Sequence, residues 1–281
     1  MIKRAIKRMA SALFPQSDRH TVILAYHSIG SASSFSQPIE RFEEQMQILA
    51  ERFTVVPLPA LLEALQAGGE RLAAITFDDG FEDLYTCAFP ILRKRGFPFT
   101  VFLTTGFLEG GRGFFEWSPH YAGLGPLTWQ QIREMMFEGC YVGSHTHSHA
   151  RLSDCTIDEM LADLTQSKNI LESHTGNEVS VLAYPFGQPH DYDQRVMTAA
   201  TKAGYSSAFT GLQTCLTSIT NRYEIPRIMI DATDGRDDFI QKITGRRDFV
   251  ARVERVNSRL IRMGLRKQPV TAPRSTAGTC V

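Results

Sequence analysis

The sequence lacks any long uninterrupted apolar segment. No run of 18 or more apolar residues occurs among its 281 positions, so we expect no membrane-spanning helix. It also lacks a net charge, because 30 basic residues balance 30 acidic ones, and this balance argues against a general nucleic-acid binder. The hydrophobic content of 43% is ordinary for a globular protein, which excludes a disordered or collagen-like chain.

A secretory leader and closely spaced cysteine pairs are missing as well. Four charges fall within the first eight residues, and no apolar stretch follows them before Pro15, which is not the pattern of a secretory signal. The five cysteines form no Cys-x-x-Cys pair, and we interpret them as free thiols in a reducing compartment. They are Cys87, Cys140, Cys155, Cys215 and Cys280. Both observations predict a cytoplasmic protein.

The positive charge is concentrated at the two ends of the chain. Residues 1–19 carry a net charge of +4 and residues 246–281 a net charge of +7, which leaves −11 for the segment between them. We predict a basic N-terminal extension over 1–19, a single catalytic domain over 20–245, and a basic helical or disordered tail over 246–281. Basic ends are attracted to an anionic membrane surface, so we expect peripheral contact with the inner face of the membrane. Solvated helix faces at both ends are the alternative.

Continuous apolar segments alternate with amphipathic helical patterns along most of the chain. The helical pattern is clearest over 156–173, where Thr156 and Glu159 resemble a capping box. Buried strands separated by helices indicate a parallel sheet, and six or seven such units within about 225 residues favour a distorted (β/α)7-type barrel over an open sheet. The apolar segments are Thr21–Ile29, Ala73–Phe77, Thr100–Thr104, Tyr141–Val142, Val179–Tyr184 and Ser206–Thr210.

Polar residues follow the apolar segments at the point where each predicted strand ends. The carboxyl ends of the strands of a parallel barrel meet on one face, where reactive groups collect. Imidazole and carboxylate ligands together suit zinc and similar divalent ions, so these residues predict a metal site on that face. They are, in chain order, His27, Asp78, Asp79, His145, His147 and His149.

Two of these segments resemble the motifs of the polysaccharide deacetylases, carbohydrate esterase family 4, which share the NodB-type homology domain. The family's first motif, Thr-Phe-Asp-Asp-Gly, matches residues Thr76–Gly80, and its second, His-Ser/Thr-x-x-His, matches residues His145–His149. The resemblance covers roughly residues 20–230. It implies a distorted (β/α) barrel of about seven strands, which agrees with the alternation of strands and helices.

The resemblance also assigns roles to four of the polar residues. It implies that Asp79, His145 and His149 bind a divalent metal, for which we expect zinc, and that Asp78 is the general base. Adjacent side chains of a regular strand point to opposite faces, so Asp78 and Asp79 can share one site only because the strand ends there and turns at Gly80.

The family's third motif, Arg-x-Pro-aromatic, is matched only in part. Its counterpart here is Ala183-Tyr184-Pro185-Phe186, and the resemblance implies that the backbone N–H of Phe186 stabilises the oxyanion. Ala183 stands where the family has an arginine that braces the base. We expect Arg227 to supply that charge from another strand.

The family's late histidine, which supplies the catalytic acid, is missing near Ile228–Ile230. Branches of the family that act on exopolysaccharides carry an early strand that ends in Tyr-His, and Tyr26-His27 resembles it. We therefore expect His27 to protonate the leaving amine. His120 and His190 are weaker candidates, and His147 is expected to point away from the site. Residues Gly106–Gly125 are too long for a plain connection and are interpreted as a lid or substrate loop.

The resemblance implies a hydrolase of carbon–nitrogen bonds, a metal-dependent carbohydrate N-deacetylase. Its substrate would be an N-acetylated amino sugar in a polysaccharide or a saccharide precursor, and acetate the product. One alternative is a deformylase or O-acetyl esterase that acts on a lipid-linked sugar. A second is a barrel amidohydrolase with a His145–His147 ligand pair, and a third is a catalytically degenerate glycan-binding protein.

Overall fold

A computed structural model describes residues 20–33, 35–111, 121 and 123–266. Eight strands of the described residues form one sheet: β1 (Val22–Tyr26), β2 (Thr54–Val55), β3 (Leu72–Phe77), β4 (Phe99–Leu103), β5 (Cys140–Ser144), β6 (Val181–Ala183), β7 (Ser207–Phe209) and β8 (Ile228–Met229). The strand order is β7-β6-β5-β4-β3-β1-β8, and β2 pairs with β3 beside this path. Every pair of neighbouring strands is parallel.

Helices connect the strands, as the alternation of patterns predicts. They are α1 (Ile39–Arg52), α2 (Leu58–Gln66), α3 (Phe89–Arg95), α4 (Thr105–Leu108), α5 (Trp129–Phe137), α6 (Ile157–Thr175), α7 (Gln194–Lys202), α8 (Arg236–Ile243) and α9 (Phe249–Arg262). The predicted capping box of α6 is confirmed, because the Thr156 hydroxyl accepts a hydrogen bond from the N–H of Glu159, whose carboxylate accepts one from the N–H of Thr156. None of the described helices is long and apolar enough to cross a bilayer.

The strands are apolar on both faces because each face packs against its own hydrophobic cluster. In β1, Val22 and Leu24 belong to the larger cluster, whereas Ile23 between them belongs to a second cluster with Phe102 and Phe209. Successive side chains of a strand point to opposite faces, so this alternation shows that the sheet is covered on both sides. Continuous apolar segments, without polar residues at every second position, are the sequence signal of that arrangement.

The sheet curls until its two edges meet, and the predicted barrel is confirmed. Phe209 of the edge strand β7 forms a parallel bridge with Ile225, in the segment that leads into β8. The guanidinium of Arg227 donates a hydrogen bond to the carbonyl of Thr210 across the same gap, at 3.3 Å. The short β6, β7 and β8, with two or three residues each, make this a distorted barrel.

Some sequence predictions fall on residues outside the described part of the chain. These are the extension 1–19, positions 267–281 of the predicted tail, and positions 112–120 and 122 of the predicted lid. The rest of the tail contains α9, and the proposed division into extension, domain and tail stays a prediction.

The prediction of free thiols is only partly correct. Cys87, Cys140 and Cys215 are free. Cys155 is disulfide-bonded, so the prediction is wrong for this residue. Separation along the sequence does not report which cysteines approach within bonding distance in space.

Candidate active site

The three predicted metal ligands meet at the carboxyl end of the sheet. Asp79 follows β3, and His145 and His149 follow β5; all three are buried. One ligand atom from each lies within 4.8 Å of the others. The carboxylate Oδ1 of Asp79 is 3.5 Å from Nε2 of His145 and 3.3 Å from Nε2 of His149. The geometry therefore brings together the three side chains that two distant motifs supply.

The state of these atoms fits a divalent cation. Oδ1 of Asp79 is buried and accepts no hydrogen bond of good geometry within the described residues, which is costly for a carboxylate oxygen. Nδ1 of His145 lies 2.8 Å from the carbonyl oxygen of Ala183, to which it donates, so the lone pair of Nε2 faces Asp79. Burial lowers the pKa of His145 to about 4, which keeps its imidazole neutral and able to act as a ligand.

The backbone around the pocket is left-handed at four residues that are not glycine. They are Asp79 (φ 71°), Thr146 (φ 69°), His149 (φ 55°) and Phe186 (φ 63°). Side chains with a Cβ rarely adopt this conformation, and it persists only where the surrounding structure enforces it. The left-handed turn at Asp79, continued by Gly80 (φ 88°), ends the strand geometry that would otherwise separate the side chains of Asp78 and Asp79.

A carboxylate on α6 fixes the loop between the two histidine ligands. Oδ1 of Asp163 accepts a hydrogen bond from the N–H of His147 at 2.7 Å, and Oδ2 accepts one from the N–H of Ser148 at 3.0 Å. The Ser148 hydroxyl also donates to Oδ2. Asp163 was not among the site residues predicted from the sequence. The signal for it is an acidic residue on the buried stripe of an amphipathic helix, between Met160 and Leu164.

The predicted base, Asp78, forms a two-point ion pair with Arg227. The two guanidinium Nη atoms donate to the two carboxylate oxygens at 2.7 Å each, and both side chains are buried. Burial raises the pKa of Asp78, but the charge of Arg227 and its hydrogen bonds outweigh that effect, so the pKa lies well below its ordinary value. The Arg227 guanidinium also lies over the ring of Phe102, 5.1 Å from its centroid. Arg227 thus occupies the place of the missing family arginine.

All seven predicted site residues line a single pocket: His27, Asp78, Asp79, His145, His149, Phe186 and Arg227. His27 packs edge-on against Phe35, with ring centroids 4.9 Å apart, and Tyr121 packs on the other side of Phe35 at 5.1 Å. The pocket therefore has an aromatic wall beside His27, whereas its other lining includes the charged pair of Asp78 and Arg227.

The turn that carries Phe186 depends on a close approach between two backbone segments. A Cβ added to Gly187 (φ 65°) would lie 2.4 Å from the backbone nitrogen of Gly211, a distance that no side chain allows. Gly211 in turn donates its N–H to the carbonyl of Gly187 at 2.8 Å. The ring of Phe186 packs against His149 at 5.1 Å and lies under the guanidinium of Arg151. These contacts fix the position of the Phe186 backbone in the pocket wall.

The remaining histidine predictions can be compared with their positions in the structure. His147 points away from the ligand cluster, as expected, because its ring nitrogens lie 2.9 Å from the Thr105 hydroxyl and 3.2 Å from the Gln166 amide. The His145–His147 ligand pair of the amidohydrolase alternative is therefore not formed. His190 does not line the pocket, and His120 lies outside the described residues.

Comparison with known proteins agrees with this geometry. The family model described as "Polysaccharide deacetylase" matches residues 66–208. Over 192 residues the chain is 31% identical to the "Putative polysaccharide deacetylase YxkH" of Bacillus subtilis, a match that covers 67% of this chain and 63% of that protein. Over 224 residues it is 27% identical to a poly-β-1,6-N-acetyl-D-glucosamine N-deacetylase of Staphylococcus epidermidis, covering 75% and 73% of the two chains. The match thus spans less than two thirds of the Bacillus protein's length.

Solved structures share the fold over most of their length. IcaB from Ammonifex degensii superposes with a TM-score of 0.66 at 25% identity, over 85% of this chain and 98% of its own. The Streptococcus pyogenes deacetylase PplD, solved in complex with acetate, superposes with a TM-score of 0.68 at 22% identity, over 81% of this chain and 99% of its own. Both likenesses extend well beyond the segment that the family model matches.

Proposed function

The chain belongs to the polysaccharide deacetylase family, and on this premise we propose that it hydrolyses the N-acetyl group of an amino sugar and releases acetate. The observation that carries the proposal is an ionised carboxylate, Asp78, held by Arg227 in the same buried pocket as the cluster of Asp79, His145 and His149. A protein that only binds glycans has no need of a second, ionised carboxylate beside the ligand cluster. The arrangement therefore favours catalysis.

Asp79, His145 and His149 would hold a divalent cation. Two imidazole nitrogens and one carboxylate oxygen form a donor set that suits zinc, which we propose as the ion. When bound, such an ion supplies Lewis-acid chemistry, polarising the acetamide carbonyl and lowering the pKa of a water molecule.

Asp78 is proposed as the general base that takes a proton from the attacking water. Its lowered pKa keeps it ionised at neutral pH, which is the form that can accept a proton, and also makes it a weak base that relies on a water molecule of lowered pKa. The two hydrogen bonds from Arg227 also fix the carboxylate in one orientation. The backbone N–H of Phe186 is proposed to donate a hydrogen bond to the oxyanion that forms when water adds to the carbonyl.

His27 is proposed to complete the reaction by donating a proton to the nitrogen. The bond between the carbonyl carbon and that nitrogen then breaks, and the products are acetate and the free amine of the sugar. His27 lies at the end of β1 on the wall of the pocket, which is the placement that a proton donor to the leaving group requires.

The substrate class follows the names of the relatives. The Staphylococcus epidermidis relative is named for poly-β-1,6-N-acetyl-D-glucosamine, and we propose an N-acetylhexosamine polymer or its saccharide precursor as the substrate. The cytoplasmic location that the sequence predicts stays a prediction.

Acetate release from N-acetylhexosamine oligosaccharides, measured with the metal content of the purified protein, tests this proposal. We expect acetate release that Asp78→Asn abolishes while the metal content is retained. Asp158→Asn, an exposed carboxylate in the first turn of α6, is the matched control and should release acetate at the normal rate. Formate release instead would favour the deformylase alternative, release from O-acetyl sugars alone the esterase, and glycan binding without any turnover the degenerate binding protein.

A further inference from the structure

The outer face of α9 carries an apolar stripe that no described residue covers. Val253, Val256 and Met263 are 53%, 56% and 69% exposed, and Leu265 just after the helix is 69% exposed. With half-buried Leu260, the residues at 253, 256, 260 and 263 are spaced by three, four and three positions, which places them on one side of the helix. Val253, Val256 and Met263 thus expose more than half of their surface on one side of the helix.

A row of arginines runs beside the apolar stripe. At 3.6 residues per turn, it lies about 100° around the helix from the stripe. The row is Arg252, Arg255, Arg259 and Arg266. Arg255 and Arg259 are exposed, and neither forms an ion pair with a carboxylate of the described residues. Apolar and basic stripes side by side, both facing solvent, are the pattern of a helix that lies in the surface of an anionic bilayer.

The other side of α9 packs against the segment that leads away from the pocket wall. The Ser258 hydroxyl lies 3.0 Å from Nδ1 of His190, and the guanidinium of Arg262 donates to the carbonyls of Pro189 and Tyr192, the latter at 2.8 Å. This segment begins directly after Gly187, which lines the pocket. The exposed face of α9 therefore lies on an element that is attached to the border of the proposed active site.

We propose that this face of α9 docks on an anionic lipid bilayer. The apolar stripe distinguishes a bilayer from nucleic acid, which would use the arginines but leave the valines and Met263 in water. A second copy of the chain is disfavoured by charge, because packing stripe against stripe would bring the arginine rows together. The single carboxylate of α9, Glu254, cannot neutralise them, since its Oε2 is buried on the protein side.

If α9 docks on a bilayer, the proposed deacetylase function, on which this step rests, is carried out at the membrane surface. The enzyme would act on saccharide chains that are held at a membrane surface, for instance on a lipid carrier, and less on chains free in solution. The docking itself is independent of catalysis and can be measured without substrate.

Co-sedimentation of the full-length protein with lipid vesicles tests the proposal. We expect binding to vesicles of phosphatidylcholine with one third phosphatidylglycerol, little binding to phosphatidylcholine alone, and weaker binding at high salt. The double variant Arg255→Gln with Arg259→Gln should lower the affinity about 30-fold, which corresponds to about 1 kcal/mol for each arginine. Val253→Ser with Val256→Ser should also weaken binding, because the apolar contact is lost.

The matched control is Arg93→Gln with Arg133→Gln, which removes the same charge from exposed positions on α3 and α5. Unchanged affinity in this control is the expected result. An equal loss in both double variants would show a general charge effect and overturn the proposal. Normal vesicle binding by the double variant Arg255→Gln with Arg259→Gln would also overturn the proposal. A dimer that sedimentation velocity detects and that Val256→Ser dissociates would overturn it as well.

Acetate release from a soluble oligosaccharide separates this proposal from the proposed function. The double variant Arg255→Gln with Arg259→Gln should keep the wild-type rate in solution, because neither residue lines the pocket. Loss of vesicle binding with normal acetate release therefore supports the docking proposal and leaves the proposed function intact. Absence of acetate release by the wild-type protein would contradict the proposed function and leave the docking result unaffected.

Discussion

Arg227 donates hydrogen bonds to both carboxylate oxygens of Asp78 at 2.7 Å, although 149 positions separate the two residues in the chain. One residue follows β3 and the other precedes β8, and the curl of the sheet brings them to the same pocket. The pair is buried on all sides, so each charge depends on the other for compensation. Position 183 is an alanine, so the charge beside Asp78 comes from Arg227.

The first prediction concerns this ion pair. Arg227→Met leaves the carboxylate of Asp78 buried without its partner, and we expect a loss of about 3–5 kcal/mol in the free energy of unfolding. Adding Asp78→Asn removes the stranded charge, so the double variant should recover a large part of that loss. Urea unfolding of the two single variants and the double variant measures the coupling. If the two losses simply add, the pair is not energetically linked.

The second prediction concerns the loop that Asp163 holds. Asp163→Asn places an amide where a carboxylate accepted three hydrogen bonds, so the loop between His145 and His149 loses part of its support. We expect the affinity for zinc to fall about 10- to 100-fold. Competition with a chromophoric chelator measures this affinity without substrate. Asp158→Asn, on the exposed side of the same helix, should bind zinc as the wild type does; an equal loss there would mean that α6 itself is disturbed.

The third prediction separates proton donation from the rest of the chemistry. His27→Gln should slow N-acetyl hydrolysis about 100-fold, because an amine leaves poorly unless it is protonated. Hydrolysis of 4-nitrophenyl acetate, whose leaving group needs no proton, should change little. His190→Gln, which alters a histidine away from the pocket, is the control for both substrates. Equal slowing of amide and ester by His27→Gln would assign His27 to a role other than that of the acid.

The fourth prediction concerns pH and stability. Burial raises the pKa of Glu254 to about 7, above the value of about 4.3 of an exposed glutamate. Between these two values the folded chain keeps a proton that the unfolded chain has lost, so the contribution of Glu254 to stability falls as the pH rises through this range. Glu254→Gln should therefore be more stable than the wild type at pH 8, by up to about 3 kcal/mol, with a smaller difference at pH 5.

Urea unfolding of Glu254→Gln and wild type at the two pH values checks this expectation. Glu178→Gln, a change at an exposed position, should shift stability little at either pH. A stabilisation by Glu254→Gln that is the same at pH 5 and pH 8 would assign the effect to packing and not to the charge.

The residues that line the pocket were more predictable from the sequence than the residues that hold them in place. The proposed ligands and base belong to two short motifs at strand ends, where local sequence decides what faces the pocket. Asp163 was missed because its partners are backbone N–H groups of another segment. Every residue except proline has such a group, so the sequence does not show which ones an aspartate will bind. Cys155 was misassigned for a related reason, since pairing in space is not encoded in spacing along the chain.

The same distinction holds for the fold. The strands β3 and β4 were predicted from continuous apolar segments, and the 19-residue α6 from a helical pattern that repeats over several turns. Helices α2 and α5, with nine residues each, were not assigned from the sequence. A nine-residue helix offers few repeats of a helical period, so helices of this length are recognised only in part: α7, equally long, was predicted.

The left-handed backbone at Asp79, Thr146, His149 and Phe186 makes thermal stability and catalytic activity compete. Each such residue costs about 1–3 kcal/mol, and glycine would relieve that cost wherever the side chain is dispensable. Selection for heat resistance alone would thus favour glycine at Thr146 or Phe186, and the looser loops would hold the ligands and the oxyanion donor less firmly. Laboratory evolution of this enzyme should screen for turnover in every round, because the most thermostable descendants are expected among the least active.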